Sequence, residues 1–387
     1  MKYNNIALIV AAGRGLRAGA GLPKQYYSLS GASILERTLH RFIHPKIDAI
    51  QVVIHKDDLE LYEQATRNIS NLLPYVYGGV ERRDSVRLGL EAITKYSPKK
   101  VLIHDAARPF ISEELIGTLI DELDHHPALI AAQKISDTVK YVEGSYIGRT
   151  VDRRHLYLAQ TPQAFCFKTI LTAHQTATGD DFTDDASLCE HANIPVKIIE
   201  STLSNYKITT QADIELAMKL VRYETKVGIG FDAHRFIEGE NTENFIIIGG
   251  TPISCARKID AHSDGDLLLH AITDAILGAI GAGDIGLHFP PSDSKWRDAD
   301  SSIFIKHAYN LVKEQCGEIV NIDTIIIGET PKILPHRKII QQSIADMLAL
   351  DVSRVSVKAT TTEKMGFTGR GEGIAAQAIV SIKFPQL

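Results

Sequence analysis

The 387-residue chain is poor in several features that would otherwise organise a fold. It has four cysteines, Cys166, Cys189, Cys255 and Cys316, far apart and with no Cys-x-x-Cys. That spacing argues against a disulfide framework or a zinc ribbon and fits a reducing compartment. No apolar run approaches the ~18 residues that a membrane span needs. The strand-like Ile6–Val10 runs into a glycine-rich loop and not a cleavage site, so no signal peptide is expected and the expected location is the cytoplasm. Surplus positive charge is lacking as well. With 42 Lys and Arg against 47 Asp and Glu the net charge is −5, which offers no broad surface for nucleic acid. Repeats, low-complexity segments and a Pro/Gly/Ser-rich linker are also missing. The length still exceeds the ~100–200 residues typical of one domain. Two domains are therefore expected, 1–223 and 224–387, joined at a short polar stretch between Tyr223 and Val227.

The first part alternates as an α/β domain should. Ile6–Val10, Ala49–Ile54, Val101–His104 and Lys197–Ile199 read as strands, Asp57–Ser70 and Gln211–Tyr223 as helical stretches. A turn at Glu143-Gly144-Ser145 marks a β-hairpin, an arm of the kind that reaches a partner subunit. Three loops stand out. The loop from Ala11-Ala12-Gly13 through Arg17 to Pro23-Lys24 offers amides and cations to phosphates, yet fits neither common phosphate-loop spacing. Gly78-Gly79 feeds a helix through Arg82 and Ser85, and His104-Asp105-Ala106-Ala107-Arg108 closes a strand. In an open α/β sheet such strand ends are where ligands bind. Each loop taken alone also reads as an ordinary surface turn.

In the second part, Asp232 and His234 end the apolar run Val227–Phe231 two residues apart. On a strand both would leave by the same face. His270 comes from an alanine-rich helical stretch, Leu267–Ile280, preceded by Ser263-x-x-Asp266, which has the form of a capping box. Asp266, His270 and Asp274 recur every four residues and share one side. One carboxylate and two imidazoles suit zinc, with a fourth position for a substrate oxygen. An isolated Asp-x-His also arises without any metal. Thr360, Thr361, Thr362, Glu363 and Arg370 sit in two glycine-bounded loops and supply hydroxyls, a hard metal ligand and a phosphate fork.

Taken together these motifs carry a resemblance from residue 6 to residue 380. Ala11-Ala-Gly-x-Gly-x-Arg17, Pro23-Lys24-Gln-Tyr, Gly78-Gly-x-x-Arg-x-x-Ser85-Val, His104-Asp-Ala-Ala-Arg-Pro109, Thr150-Val-Asp-Arg153, Thr183-Asp-x-Ala186 and Lys207 resemble the 2-C-methyl-D-erythritol 4-phosphate cytidylyltransferase family. Gly-x-Gly-x-Asp232-x-His234, Ala261-His-Ser-Asp-Gly-Asp-x-x-x-His270, Gly283-Asp-Ile-Gly, Pro331-Lys-x-x-Pro335 and Lys358-Ala-Thr-Thr-Thr-Glu-Lys, continued to Gly373, resemble the 2-C-methyl-D-erythritol 2,4-cyclodiphosphate synthase family.

The resemblance implies a Rossmann-like α/β nucleotidyltransferase domain with a β-arm, followed by an α+β cyclodiphosphate synthase domain that is trimeric. It places Arg17 and Lys24 on the phosphates of CTP with Mg²⁺ assisting. Ala11, Ala12, Gly13, Gly79 and Ser85 hold the cytidine part, and Asp105, Arg108, Thr183 and Lys207 the sugar phosphate. Thr138 and Arg153 come from a neighbouring subunit. In the second half Asp232, His234 and His270 hold Zn²⁺ or another divalent transition metal, and Glu363 a second Mg²⁺ or Mn²⁺. His262 and Thr361 support developing charge. Ser263, Asp284, Gly286, Phe289, Thr362, Phe367 and Arg370 shape the pocket, while Lys332, Ile333, Leu334, Ala359 and Thr360 take the cytosine end. The implied partners are small-molecule substrates and copies of the chain, up to a hexamer, with neither nucleic acid nor membrane. Two departures stand out: Gln211 where the family has a proline, expected to soften a helix start, and an insertion over Glu238–Asn244.

Overall fold

A computed structural model describes residues 2–14, 22–179, 182–237, 245–261, 263–290, 292–296 and 299–386. The chain forms two compact units, Met1–Val221 and Arg222–Gln386. Arg17, His262 and the Glu238–Asn244 insertion lie outside the described residues.

The first unit is built on a seven-stranded sheet in the order Lys197–Glu200, Ala128–Lys134, Tyr157–Cys166, Lys100–Asp105, Asn5–Ala11, Ala49–Ile54, Val76–Tyr77. Tyr157–Cys166 is antiparallel to both neighbours and the other pairings are parallel. The central strands are apolar on both faces because two separate cores pack against them, one around Leu35, Leu39 and Leu119, the other around Val86, Leu90 and Ile170. The hairpin arm is Val139–Glu143 with Tyr146–Val151, and Tyr146 and Ile147 on it are largely exposed. Gln211 does open the last helix, Gln211–Leu220, but the start is not left loose. Thr210 accepts from the Asp213 amide at 3.2 Å, and Asp213 Oδ2 accepts from the Thr209 and Thr210 amides at 2.8 Å each. A capping box thus does what the proline's fixed φ does elsewhere.

The second unit is a five-stranded sheet, Lys258–Ile259, Tyr223–Ile237, Gly373–Pro385, Glu318–Ile327, Val355–Thr360, with helices Leu267–Ala279, Ser302–Glu314 and Arg337–Leu348 contributing to one core against one face. The residues expected to form a polar junction, Tyr223 to Lys226, are already the start of the long strand. Their pairing with Ile382 to Pro385 turns the stretch from linker into sheet.

Strand and helix meet without side chains between them. A Cβ on Gly228 would lie 1.9 Å from the Ala275 carbonyl oxygen, and one on Gly230 2.0 Å from that of Ala271. Two strand residues advance about 6.8 Å and four helical residues about 6 Å. Glycine and alanine therefore stay in step, and the next position on the same face, Asp232, falls beside the helix's first turn. Capping at that turn differs from the sequence expectation. Asp266 is itself the N-cap, accepting from Leu268 N and Leu269 N at 3.2 and 3.1 Å and from Gly249 N and Gly250 N at 2.8 and 2.6 Å. Four amides claim this fully buried carboxylate, so it is a structural cap and does not share a working face with His270.

Gly230→Ala should force helix and strand apart at a backbone contact, costing about 3 kcal/mol in the second unit. Trp296, the chain's single tryptophan, lies in that unit. Its fluorescence in a urea titration reads the loss.

Candidate functional sites

In the first unit a cavity of about 840 Å³ opens at the carboxyl ends of strands Asn5–Ala11, Ala49–Ile54, Val76–Tyr77 and Lys100–Asp105. It gathers Ala11, Ala12, Gly13, Lys24, Gly79, Ser85, Asp105 and Lys207 from five separate stretches of chain. Gln25 pins the first loop, its buried amide donating to the Ala11 and Gly13 carbonyls at 2.7 and 3.1 Å. Gly78 lets the second loop close, since a Cβ there would lie 2.4 Å from Ala12 Cβ. Ser85 Oγ then accepts from the Gly79 amide at 3.2 Å and donates to the Glu81 carbonyl at 3.0 Å. The start of helix Arg82–Ile93 thereby borders the cavity, a position suited to anions.

Asp105 organises the charge. Its Oδ2 lies 2.8 Å from Lys207 Nζ and 3.7 Å from Arg108 Nε, and its Oδ1 3.2 Å from Arg82 Nε. Arg82 also holds Asp185 at 2.8 Å, and Asp185 holds His174 at 3.2 Å. Burial alone would raise the Asp105 carboxyl, but Arg82 and Lys207 outweigh it and hold it far below the usual carboxylate range. Three cations against two carboxylates leave one positive charge over, with Lys24 added in the same cavity. Behind Asp105, burial pushes His104 down to about 4, so its imidazole is neutral at neutral pH. Its Nε2–H donates to the Arg108 carbonyl at 3.0 Å, and the Thr161 hydroxyl donates to Nδ1 at 3.0 Å. Thr161 Oγ1 in turn accepts from the Asp105 amide at 3.1 Å.

Other expected residues of this unit stand apart from the cavity lining. Arg108 turns to the Asn205 carbonyl at 2.8 Å, and Thr183 is exposed ahead of helix Asp185–His191. Thr138 is exposed at the base of the arm, and Arg153 donates to the Ser136 carbonyl. Arg82 and Arg14 carried no assigned role in the sequence reading, yet both line the cavity. The signal for Arg82 was present: a cation at the first position of a helix opposes the helix dipole unless carboxylates claim it. Arg14 is held by Asp57 and by buried Asp58.

In the second unit Asp232, His234 and His270 converge, one ligand atom from each lying within 4.8 Å of the others. Among the described residues this is the one such cluster. Asp232 Oδ2 is 2.8 Å from His270 Nδ1 and 3.1 Å from His234 Nε2. Burial opposes the charged carboxyl, but the two imidazoles hold Asp232 well below the usual range. His234 Nε2 is buried and makes no hydrogen bond. A buried nitrogen left without a hydrogen bond, facing an anionic oxygen and a second imidazole, fits a divalent cation of the zinc type.

Around this centre the expected residues divide. Ser263 Oγ lies 3.2 Å from His270 Nε2, so it touches a member of the cluster. Asp284 caps the short helix Ile285–His288 that contains Gly286, and Asp274 accepts from the Ile285 amide at 2.7 Å, which fixes that helix and spends Asp274 structurally. Phe289 packs against Phe304, Trp296 and His307. Thr361 donates to Glu363 at 3.0 Å, and Glu363 lies outside the three-residue cluster. Thr362 turns inward to Thr368 and the Met365 carbonyl, and Arg370 pairs with Glu372. Lys332, Leu334, Ala359, Thr360 and Phe367 are exposed. Ile333 is buried in the core, so its side chain is spent on packing.

The family model described as 2-C-methyl-D-erythritol 4-phosphate cytidylyltransferase matches residues 5–223, and the model described as the YgbB family matches residues 225–383. A bifunctional enzyme IspD/IspF of Rhodospirillum rubrum is 48% identical over 382 residues, covering 98% of both chains. The namesake protein of Paramagnetospirillum magneticum is 46% identical over 384 residues, covering 98% of this chain and 99% of its own. This chain belongs to the bifunctional IspD/IspF family. A solved 4-diphosphocytidyl-2C-methyl-D-erythritol synthase from Anaerococcus prevotii matches 56% of the chain and 95% of its own, at 37% identity and a TM-score of 0.50. As an IspD/IspF protein the chain is a two-activity enzyme of isoprenoid precursor synthesis, a cytidylyltransferase followed by a cyclodiphosphate synthase. Such enzymes use divalent metal ions.

Arg82→Met should leave Asp105 and Asp185 short of a cation in a buried setting. The expected cost is about 3 kcal/mol, read as a lower urea midpoint for the first unit by circular dichroism.

Proposed function

We propose that the cavity of the first unit binds CTP and methylerythritol phosphate and that the Asp232, His234 and His270 site closes the cyclic diphosphate. In the first reaction an oxygen of the sugar phosphate forms a bond to the α-phosphorus of CTP, the bond from that phosphorus to the β-bridging oxygen breaks, and pyrophosphate leaves. No covalent nucleophile on the enzyme is required. Lys24, Arg82 and Lys207 supply fixed positive charge where negative charge gathers, and Asp105 keeps Lys207 and Arg82 in place without reorganisation during the step. Arg17 joins Lys24 on the triphosphate, and Mg²⁺ accompanies the nucleotide. Ala11, Ala12, Gly13, Gly79 and Ser85 present backbone and hydroxyl groups to the cytidine.

In the second reaction an oxygen of the 2-phosphate of CDP-methylerythritol 2-phosphate forms a bond to the β-phosphorus, and the bond from that phosphorus to the bridging oxygen breaks, releasing CMP. A divalent ion, Zn²⁺ by the donor set, supplies Lewis acidity toward a phosphate oxygen when bound. The chain's own part is to present three donors from a strand and a helix whose spacing is fixed by backbone contact. His262 and Thr361 take developing charge, and Glu363 holds a second divalent ion. Phe289 and its aromatic neighbours keep water from one side of the centre. The observation that carries the reading is the buried, unbonded His234 nitrogen facing Asp232 and His270. His270→Ala should lower CMP release by at least about 100-fold while pyrophosphate release from CTP persists. Unchanged CMP release with zinc present would sink the assignment.

An exposed apolar sheet face supports an assembly of copies of the chain. Val227, Ile229 and Phe231 alternate with the glycines and point away from the helices, 63%, 62% and 56% exposed. A contiguous apolar stripe of this kind marks an interface, and we assign it to a trimeric core. The arm, with Tyr146 and Ile147 exposed, joins further copies toward a hexamer. A reducing cytoplasm suits the separated thiols. Phe231→Asp should convert the trimer to smaller species in sedimentation velocity, whereas a monomeric parent protein would overturn the assembly.

A further inference from the structure

His270 uses both ring nitrogens, and only Nδ1 faces the metal cluster. Nε2 points the other way, 2.9 Å from Ser301 Oγ and 3.2 Å from Ser263 Oγ. Ser301 is fully buried, ahead of helix Ser302–Glu314. Its hydroxyl donates to Asp264 Oδ1, and its amide donates to Asp264 Oδ2 at 3.0 Å. Asp264 is held in turn, because the Asp266 amide donates to Oδ1 at 3.2 Å and the Asp264 amide donates to the Ala299 carbonyl at 3.3 Å. A hydroxyl has one hydrogen, and an ionised carboxylate only accepts. With that hydrogen committed to Asp264, Ser301 Oγ can only accept from His270, so the proton sits on Nε2. The Nδ1 lone pair is then left for the metal side of the ring. Ser263 is the weaker candidate for this work: it is less buried, its contact is longer, and its Oγ already accepts from the Gly265 amide at 3.3 Å.

We propose that Asp264 and Ser301 are positioning residues that hold His270 in its Nε2-protonated form and so set the metal affinity of the site. This rests on reading Asp232, His234 and His270 as the divalent metal site. It adds a carboxylate–hydroxyl–imidazole chain, a two-step version of the partner that metal-ligating histidines usually have. Neither residue touches substrate or metal in this arrangement.

The test uses the full-length chain, stripped of metal with a chelator, and titrates Zn²⁺ against a chromophoric competitor. Ser301→Ala should weaken Zn²⁺ by about 10- to 100-fold. Asp264→Asn should act in the same direction, because an amide group donating to Ser301 frees its hydroxyl to donate to Nε2 and favours the wrong tautomer. Ser301→Thr, which keeps the Oγ, should restore most of the affinity. The visible spectrum of the Co²⁺-loaded protein should shift in Ser301→Ala, a readout that loss of packing alone does not move. Trp296 fluorescence in urea, with chelator present, establishes that each variant is folded, and Asp264→Asn carries the test if Ser301→Ala is not. Affinity within about twofold of the parent in the folded variants overturns the relay. His270→Ala separates the two readings: if it too binds Zn²⁺ as the parent does, the metal assignment itself fails.

Discussion

The second unit depends on one contact, the approach of helix Leu267–Ala279 to strand Tyr223–Ile237 at Gly228 and Gly230. A helix normally rides on a sheet at a distance set by side chains from both. Here the strand contributes none at two alternate positions, and the helix answers with Ala271 and Ala275. Closer packing brings His270 within 2.8 Å of a strand carboxylate with no loop needed to bridge the gap. Both elements are regular, so the geometry of the three donors is inherited from backbone hydrogen bonding and not from flexible chain. Sites built this way hold their shape when empty, which is what preorganisation for charge stabilisation requires.

The first unit solves a related problem with different means. A single buried carboxylate, Asp105, is again the centre, but its partners are the permanent cations Arg82, Arg108 and Lys207. A carboxylate facing imidazoles leaves room for a metal, because neutral imidazoles have lone pairs to share. One facing guanidinium and ammonium groups cannot, since those groups have none. The charge left over is positive and fixed, suited to phosphates that arrive and depart. His104 behind it supports the arrangement by staying neutral. An additional cation there would compete with Lys207 for the same carboxylate.

Much of this was legible in the residues. Period-two spacing put Asp232 and His234 on one face, and the glycines before them sat at the same parity. The strand-end loops of the first half stood out as a set, and one cavity gathers residues from them. What sequence could not resolve was the destination of polar side chains whose partners are distant along the chain. Asp266 looked like a member of the working face of its helix, yet the amides of Gly249 and Gly250, seventeen and sixteen residues earlier, claim it. Ile333 stood in a motif loop, but the helix that follows draws it into the core. Ser301 gave no local sign at all, since its significance lies in being thirty-one residues from the histidine it supports. The backbone of the junction was not legible for a similar reason. Tyr223 to Lys226 are polar enough to read as linker, and only pairing with the far end of the chain makes them strand.

The two chemistries also constrain what their fusion can achieve. The first reaction yields a CDP-linked product with a free 2-hydroxyl, whereas the second needs a phosphate at that position to attack the β-phosphorus. Neither unit offers a phosphoryl donor for that step, so the intermediate must leave, be phosphorylated elsewhere and return. Direct transfer between the sites is therefore excluded by the bonds that have to be made, whatever the arrangement of the two units. What joining them does secure is equal supply of both activities, since one polypeptide carries both units.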